Sequence, residues 1–420
     1  MSALPKGWRE VRLAELADTT LGKMLNRGNA RGLPKVAYLR NVNVQWGRID
    51  THDLLTMELA NEERDRFAVK NGDLLICEGG AIGRAAIWQG KAEYLAFQKA
   101  LHRVRSRGEL DLRFLRYLLE LYSSNGVLAR YATGSTIAHL PQQRLRELPV
   151  PLPPLTEQRR IVDILEDHFS RLDVGSRLIL GARRRLGAWA SSALDEGLWS
   201  RDAPLYPVDS LLSEGMRNGH SAPAVSMGSA GIRTLTLTAV TLGVFSNKYT
   251  KITSADPGRV SALWLQTGDI LVQRSNTPEL VGTTAMYEGP DNWAIYPDLL
   301  VRLRVNTAAV SSEYLAAVLS SERAHRQMRS KAKGLAGSMP KIDQSGIGST
   351  EVPVPDENTQ RAIVGKLREI GVMRSRLDEA LISALVRSTG LRKALLAAAF
   401  SGQLTGRSTD IRIAEEMAGV

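Results

Sequence analysis

The sequence predicts an α+β protein: two tandem mixed α/β domains, each followed by a long helix, with the two helices pairing as an antiparallel coiled coil. Three observations lead there. The 420-residue chain is written twice, each copy closes on a cluster of prolines, and each cluster runs into a stretch with apolar residues at alternating four- and three-residue spacings. A chain of this length exceeds one compact core and suits two domains.

The duplication is read from matched residues whose offset is constant within blocks and grows between them. Gly47 matches Gly243 and Gly72-Asp73 matches Gly268-Asp269, 196 residues apart. Gly83 and Gly282, Gly90 and Gly289, Leu101 and Leu300, Arg103 and Arg302, and Arg105 and Arg304 lie 199 apart. Val150-Pro151 and Val352-Pro353, Gln158-Arg159 and Gln360-Arg361, and Ile161-Val162 and Ile363-Val364 lie 202 apart. Small loop insertions, one of them near Asn276-Thr277-Pro278, account for the steps.

Within each copy an alternating stretch reads as strand: Val36, Tyr38, Val42, Val44 and Trp46 in the first, Leu235, Leu237, Val240 and Leu242 in the second. A turn at Asn71-Gly72-Asp73 or Thr267-Gly268-Asp269 leads into a buried strand, Leu74-Leu75-Ile76 or Ile270-Leu271-Val272. Gly79-Gly80-Ala81-Ile82-Gly83 reads as a glycine turn between strands. Asp111 is expected to cap a helix running to about Tyr122, and Ser312 one from Glu313 to about Arg329.

Prolines forbid helix before them, so Pro149 to Pro154 and Pro353 to Pro355 must run extended. Thr156 and Asn358 then stand where a helix cap is wanted. The seam expected in the first helix is Ile161, Leu165, Leu172, Ile179, Leu186 and Trp189, with His168 and Gly175 as weak points. In the second it is Ile363, Leu367, Ile370, Leu377, Leu381, Leu391 and Leu395. Such spacing marks a coiled coil, and about 40 residues of helix span roughly 60 Å, longer than a domain of this size is wide. The alternative is that each stripe packs on its own domain. The expected boundaries are 1–155 and 201–357 for the domains, 156–200 and 358–404 for the helices, and 405–420 for a tail.

The net charge is +11, and residues 1–150 hold the largest surplus, 23 Lys and Arg against 16 Asp and Glu. Such a surplus favours a polyanionic partner. No apolar run approaches a membrane span and no export signal opens the chain, so a cytoplasmic protein is expected. Cys77 is the only cysteine, which excludes an internal disulfide and a thiolate metal site. The six histidines lack ligand spacing, and no phosphate loop, zinc-protease helix, nucleophile elbow or Asn/Asp-Pro-Pro-aromatic tetrad is present. The chain reads as a binder and not an enzyme, with no cofactor or metal of its own.

Three segments then give the chain a family resemblance: Gly7-Trp8-Arg9-Glu10-Val11, Asn71-Gly72-Asp73-Leu74-Leu75, and above all Leu148-Pro149-Val150-Pro151-Leu152-Pro153-Pro154-Leu155-Thr156-Glu157-Gln158-Arg159-Arg160-Ile161. The sequence resembles the specificity subunits of type I restriction–modification systems. The resemblance implies that the domains are target-recognition domains for double-stranded DNA and that the helices form a spacer. It also implies that two modification subunits dock here, with S-adenosylmethionine and ATP bound only by partner subunits, and leaves open whether restriction subunits join them. A different class of reading is a coiled-coil scaffold whose globular domains bind protein.

Base-reading residues cannot be carried over by motif, so divergence between the copies selects them. Positions that match are scaffold; polar positions that differ are candidates. In the first copy these are Arg27, Arg31, Lys35, Arg40, Asn43, Arg84, Ser135, Thr136 and His139. In the second they are Asn247, Lys248, Arg274, Ser275, Asn276, Lys331, Lys333 and Lys341. Arg103, Arg105 and their matches Arg302 and Arg304 are expected to hold phosphate or structure.

Overall fold

A computed structural model describes residues 4–25, 32–90, 94–134, 138–199, 202–226, 230–334 and 339–405. The chain forms two compact units, Met1–Leu180 with Ile382–Val420, and Gly181–Leu381. The division falls within the two long helices, Leu155–Leu198 and Glu357–Phe400, so each unit holds one globular domain and part of both helices.

The central sheet of the first domain is antiparallel, with the order Ala17–Leu21, Leu101–Ser106, Leu74–Cys77, Ala85–Ile87. The second domain repeats it as Arg217–Asn218, Leu300–Leu303, Ile270–Gln273, Thr284–Met286. Even the register is kept: Leu75 opposes Arg103 where Leu271 opposes Arg302. Each domain is closed by a strand near its start pairing with the proline strand, Arg9–Arg12 with Pro149–Leu152 and Leu205–Pro207 with Glu351–Pro353. A second small sheet also recurs, with Tyr38 parallel to Ala96 in one domain and Thr234 parallel to Ile295 in the other.

Two buried carboxylates organise these sheets. Asp73 accepts from Arg105 Nε at 2.6 Å and Nη2 at 2.7 Å, and from its own turn at Lys70 N. Asp269 accepts from Arg304 at 2.8 Å twice and from Gln266 N. The hydrogen bonds to the carboxylates hold both arginines above the ordinary guanidinium range. Arg103 and Arg302, buried beside them, donate to the carbonyls of Arg66 and Ala68 and of Ala262 and Trp264. The matched arginines therefore hold structure, the second of the two roles expected.

Several local expectations change. The stretch beyond Tyr38 does not continue as one strand; Asn41–Asn43 and Leu237–Ala239 are single 3₁₀ turns, because Arg40 N turns back to Asn43 Oδ1 and Ala239 N to Thr236 O. Asp111 caps Leu112–Ser124 as expected. Ser311, not Ser312, caps the matching helix, which stops at Ser320; Ser321 caps a new one, Glu322–Lys331. Asp356, not Asn358, caps the second long helix, accepting from Thr359 N. The first long helix already begins at Leu155, so Thr156 lies inside its first turn.

The helices join their domains through a duplicated latch. Gln158 accepts from Asp111 N and donates to the carbonyls of Glu109 and Pro153. Gln360 accepts from Ser311 N and donates to Pro355 O. In the first unit the residue pairs Glu157–Thr405, Asp173–Arg392 and Ser176–Ser388 run in opposite directions, so the helices pair antiparallel. In the second unit Arg183 and Asp378 join the same two helices at 2.6 Å.

Both readings of the seam hold, in different places. Ile161, Leu165 and Leu395 are buried in the core of the first domain, with Leu172 and Leu391 against it. Ile363 and Leu367 pack on the core of the second domain. Ile179, Leu186, Ile370 and Leu381 are half-buried. Trp189 and Leu377 leave the seam, at 48% and 46% exposure. A straight helix lags a seven-residue repeat by about 20° per heptad. Four heptads from Ile161 the buried position has passed from Trp189 to Ala190. At Leu377 the next residue, Asp378, faces the partner helix instead.

Removing one partner of a buried ion pair strands the other. Asp73→Ala is expected to destabilise the first domain by about 2–4 kcal/mol and Asp269→Ala the second by about as much. Hydrogen exchange of Leu74–Cys77 and Ile270–Gln273 reads each domain separately; equal loss in both domains from one substitution would refute the assignment. His102 supplies a second test. Its Nε2 meets Leu140 O at 2.8 Å, Nδ1 is buried with no partner among the described residues, and burial lowers its pKa. A depressed histidine pKa leaves stability full above the unfolded value of about 6.5 and loses it as pH falls below that. His102→Val, which installs the residue of the matching position Val301, is expected to flatten the fall in urea midpoint between about pH 6.5 and 5.

Candidate nucleic-acid interface

In the first domain three segments meet at one end of the central sheet. Arg84 Nη2 donates to Asn41 O at 2.8 Å, which ties the turn after Leu74–Cys77 to the turn at Asn41–Asn43. A bridge between Gly79 and His139 adds a third segment, and His139 is bridged in turn to Thr133. The second domain assembles the same parts. Lys341 bridges to both Ser275 and Lys333, and Ile342 N donates to Arg274 O at 2.8 Å. Asn276 donates to Gln273 Oε1, and Gln273 donates to Thr241 Oγ1, which ties in the loop after Leu237–Ala239.

Glycine makes the central turn possible in both copies. Gly83 and Gly282 have φ of +76° and +86°, a region that side chains disfavour. A Cβ on Gly83 would also lie 2.1 Å from Leu128, and one on Gly282 3.1 Å from His325.

The structure sorts the candidates chosen by divergence. Asn43 is buried, and its amide is spent on Arg40 N and on the carbonyls of Asp50 and Asp53. Arg40 pairs with Asp53 and donates to Asp53 O; Thr236, its match, donates to Tyr249 O. The two residues differ and do the same work, so Arg40 and Asn43 are corrected to loop scaffold. Arg84 is held by Asn41, and Ser275 is buried. The side-chain amide of Asn276 is engaged by Gln273 and Thr277 N. Lys331 donates to Ser349, and Lys333 pairs at 3.4 Å with Asp343, whose pKa falls to about 2 through hydrogen bonds from Ser345 and Gly346.

Lys35, His139, Asn247, Lys248 and Lys341 are exposed, and Arg274 is half-exposed. None of these side chains has a hydrogen-bond or ion-pair partner among the described residues. Arg274, His139 and Lys341 stand on the converging turns, whereas Lys35 begins the strand that leads toward Arg40. Arg27, Arg31, Ser135 and Thr136 lie outside the described residues. Divergence selection passed over the loop after Gly47 and Gly243. The 196-residue offset sets Trp46 against Leu242 and Arg48 against Val244 there, a contrast visible once apolar positions are compared as well as polar ones.

The fold is a duplicated scaffold: two equivalent sheets present loops of different chemistry, each domain latched to the start of a long helix. Residues 5–178 match the type I restriction modification DNA specificity domain. The EcoKI specificity subunit of Escherichia coli K12 is 24% identical over 427 aligned residues, covering 96% of this chain and 90% of that protein. The StySPI specificity subunit of Salmonella potsdam is 21% identical with the same coverage. A chain solved for complex assembly and conformational transition of a type I R-M system superposes with a TM-score of 0.77 at 19% identity, covering 96% of this chain and all of that one. The HsdS subunit from Thermoanaerobacter tengcongensis gives 0.55 at 18%, covering 96% and 98%. Residues 5–178 thus match a type I DNA specificity domain, and the chain as a whole is similar to the specificity subunits of type I restriction–modification systems.

Scaffold and contact positions are separable by experiment. Arg274→Ala and Lys341→Ala are each expected to lower the salt slope of duplex binding by about 1 while leaving the melting temperature unchanged. Arg40→Ala is expected to lower the melting temperature and leave the slope. Fluorescence anisotropy from about 50 to 200 mM salt, with calorimetry alongside, checks both; the reverse pattern would undo the sorting.

Proposed function

We propose that this chain is a non-catalytic subunit that reads a bipartite double-stranded DNA target, one half-site per domain, and carries two methyltransferase subunits on its paired helices. The observation that carries the reading is the repetition of one backbone scaffold, in the same register, under loops whose free side chains differ. A scaffold kept for its own sake would have no need of different loops. The surplus of basic residues supplies the non-specific part of DNA affinity.

Docking of partners on the helices is supported by apolar side chains that the helix pair leaves uncovered. In the first unit these are Val174, Leu178, Leu180, Ile382 and Val386. In the second they are Trp189, Val372, Met373 and Leu377. Exposed apolar stripes of this kind mark a protein interface. Adenine methylation, with S-adenosylmethionine as donor, and any restriction activity then belong to the partner subunits. No helix of the described residues is long and apolar enough to cross a membrane, and a cytoplasmic place fits this work.

Exchange of residues 1–150 for the matching domain of a relative tests the reading. Methylome sequencing of a host carrying the chimera is expected to show one half of the methylated motif changed and the other kept. Loss of both halves, or no bipartite motif with the native chain, would reject it.

A further inference from the structure

Leu242 is the most exposed large apolar side chain among the described residues, at 87%, and Val244 on the same loop follows at 68%. Single exposed leucines are ordinary on protein surfaces. These two are set apart by their surroundings. Thr241, next in the chain, receives the Gln273 amide, and Gln273 in turn holds Asn276. The loop base is thereby fixed beside the turn that carries Arg274, whose guanidinium has no partner among the described residues. On its other side the loop runs into Asn247 and Lys248, both exposed. An apolar tip flanked by free cations is matched to a ligand that is anionic overall and apolar at one spot.

In duplex DNA that description fits the thymine 5-methyl group, which projects into the major groove beside the base edges that Arg and Asn read. We propose that Leu242 and Val244 read thymine methyl groups in the half-site of the second domain. The inference rests on the DNA-reading function above. In the first domain the same loop carries Arg48 in place of Val244, and Trp46 in place of Leu242 is partly buried against the core. That loop therefore offers a cation and no free apolar tip, so this mode of reading belongs to the second domain only.

The test uses the full chain and duplexes recovered by it from a random pool, resynthesised with deoxyuridine for thymidine in one half-site at a time. A methyl group transferred from water contributes about a fourfold change in affinity. Deoxyuridine in the second domain's half is expected to raise Kd about fourfold per contacted thymine. Leu242→Ala/Val244→Ala is expected to bind both forms alike, with an unchanged melting temperature. Equal binding of both forms by the unmodified chain, or an undiminished deoxyuridine penalty in the double variant, overturns the assignment. So does a recovered half-site without thymine. Failure to recover any duplex, with no salt-dependent DNA binding, overturns the DNA-reading function itself, a distinct result.

Discussion

The bidentate arginine–aspartate pair at the head of each central sheet is the contact on which the rest of each domain depends. Asp73 and Asp269 follow glycines with φ of +89° and +91°, so each carboxylate sits at the start of a buried strand where water cannot solvate it. Arg105 reaches it from the neighbouring strand and Arg304 from the residue just past that strand's end, and each fixes the register between the two. A one-residue slip would turn every side chain of those strands to the opposite face. The pair makes that slip costly, because it would also leave a carboxylate buried and unpaired. With the register fixed, the turns at the far end of the same strands, Glu78–Arg84 and Arg274–Thr283, are delivered to a defined place.

The same economy governs the junction to the helices. A proline strand cannot donate a full ladder of hydrogen bonds, so it is poorly held by pairing alone. Gln158 and Gln360 compensate: one amide accepts from the cap of the domain helix and donates to a proline carbonyl just past the strand, Pro153 or Pro355. Strand, domain helix and long helix are thus joined at one side chain. Ile161 and Leu165, one and two turns further on, bury against the domain and leave the middle of the helix to pair with its partner.

Much of this architecture was legible because it is repeated. Constant offsets between Gly72 and Gly268, Arg105 and Arg304, or Gln158 and Gln360 mark positions under the same physical demand twice, and all of them proved to hold scaffold. The seam was legible where a heptad meets a nearby core, and misjudged at Trp189, where the drift between a 3.5 and a 3.6 repeat has moved the buried face by one residue. Cap positions went wrong at Ser312 and Asn358 because several small polar residues stand side by side, and only backbone geometry selects among them.

Candidate contact residues were harder to read, and Arg40 shows why. It differs from Thr236, yet each side chain donates to the carbonyl of the same hairpin residue in its own domain, Asp53 or Tyr249. Divergence between copies therefore mixes two causes: a changed ligand, and a changed solution to an unchanged structural task. The two separate once the hydrogen bonds are known. A side chain that closes its own loop is held there by that bond, while one such as Arg274 has a guanidinium with no partner among the described residues and keeps it for an external acceptor. In each domain the bonds that tie these loops down, such as Arg84 to Asn41 and Gln273 to Thr241, start and end within that domain, so side chains free of them can change without disturbing the scaffold. Distant, unshared positions contribute additively, and a scaffold of this kind lets the chemistry of one domain's loops change while the other's stays as it is.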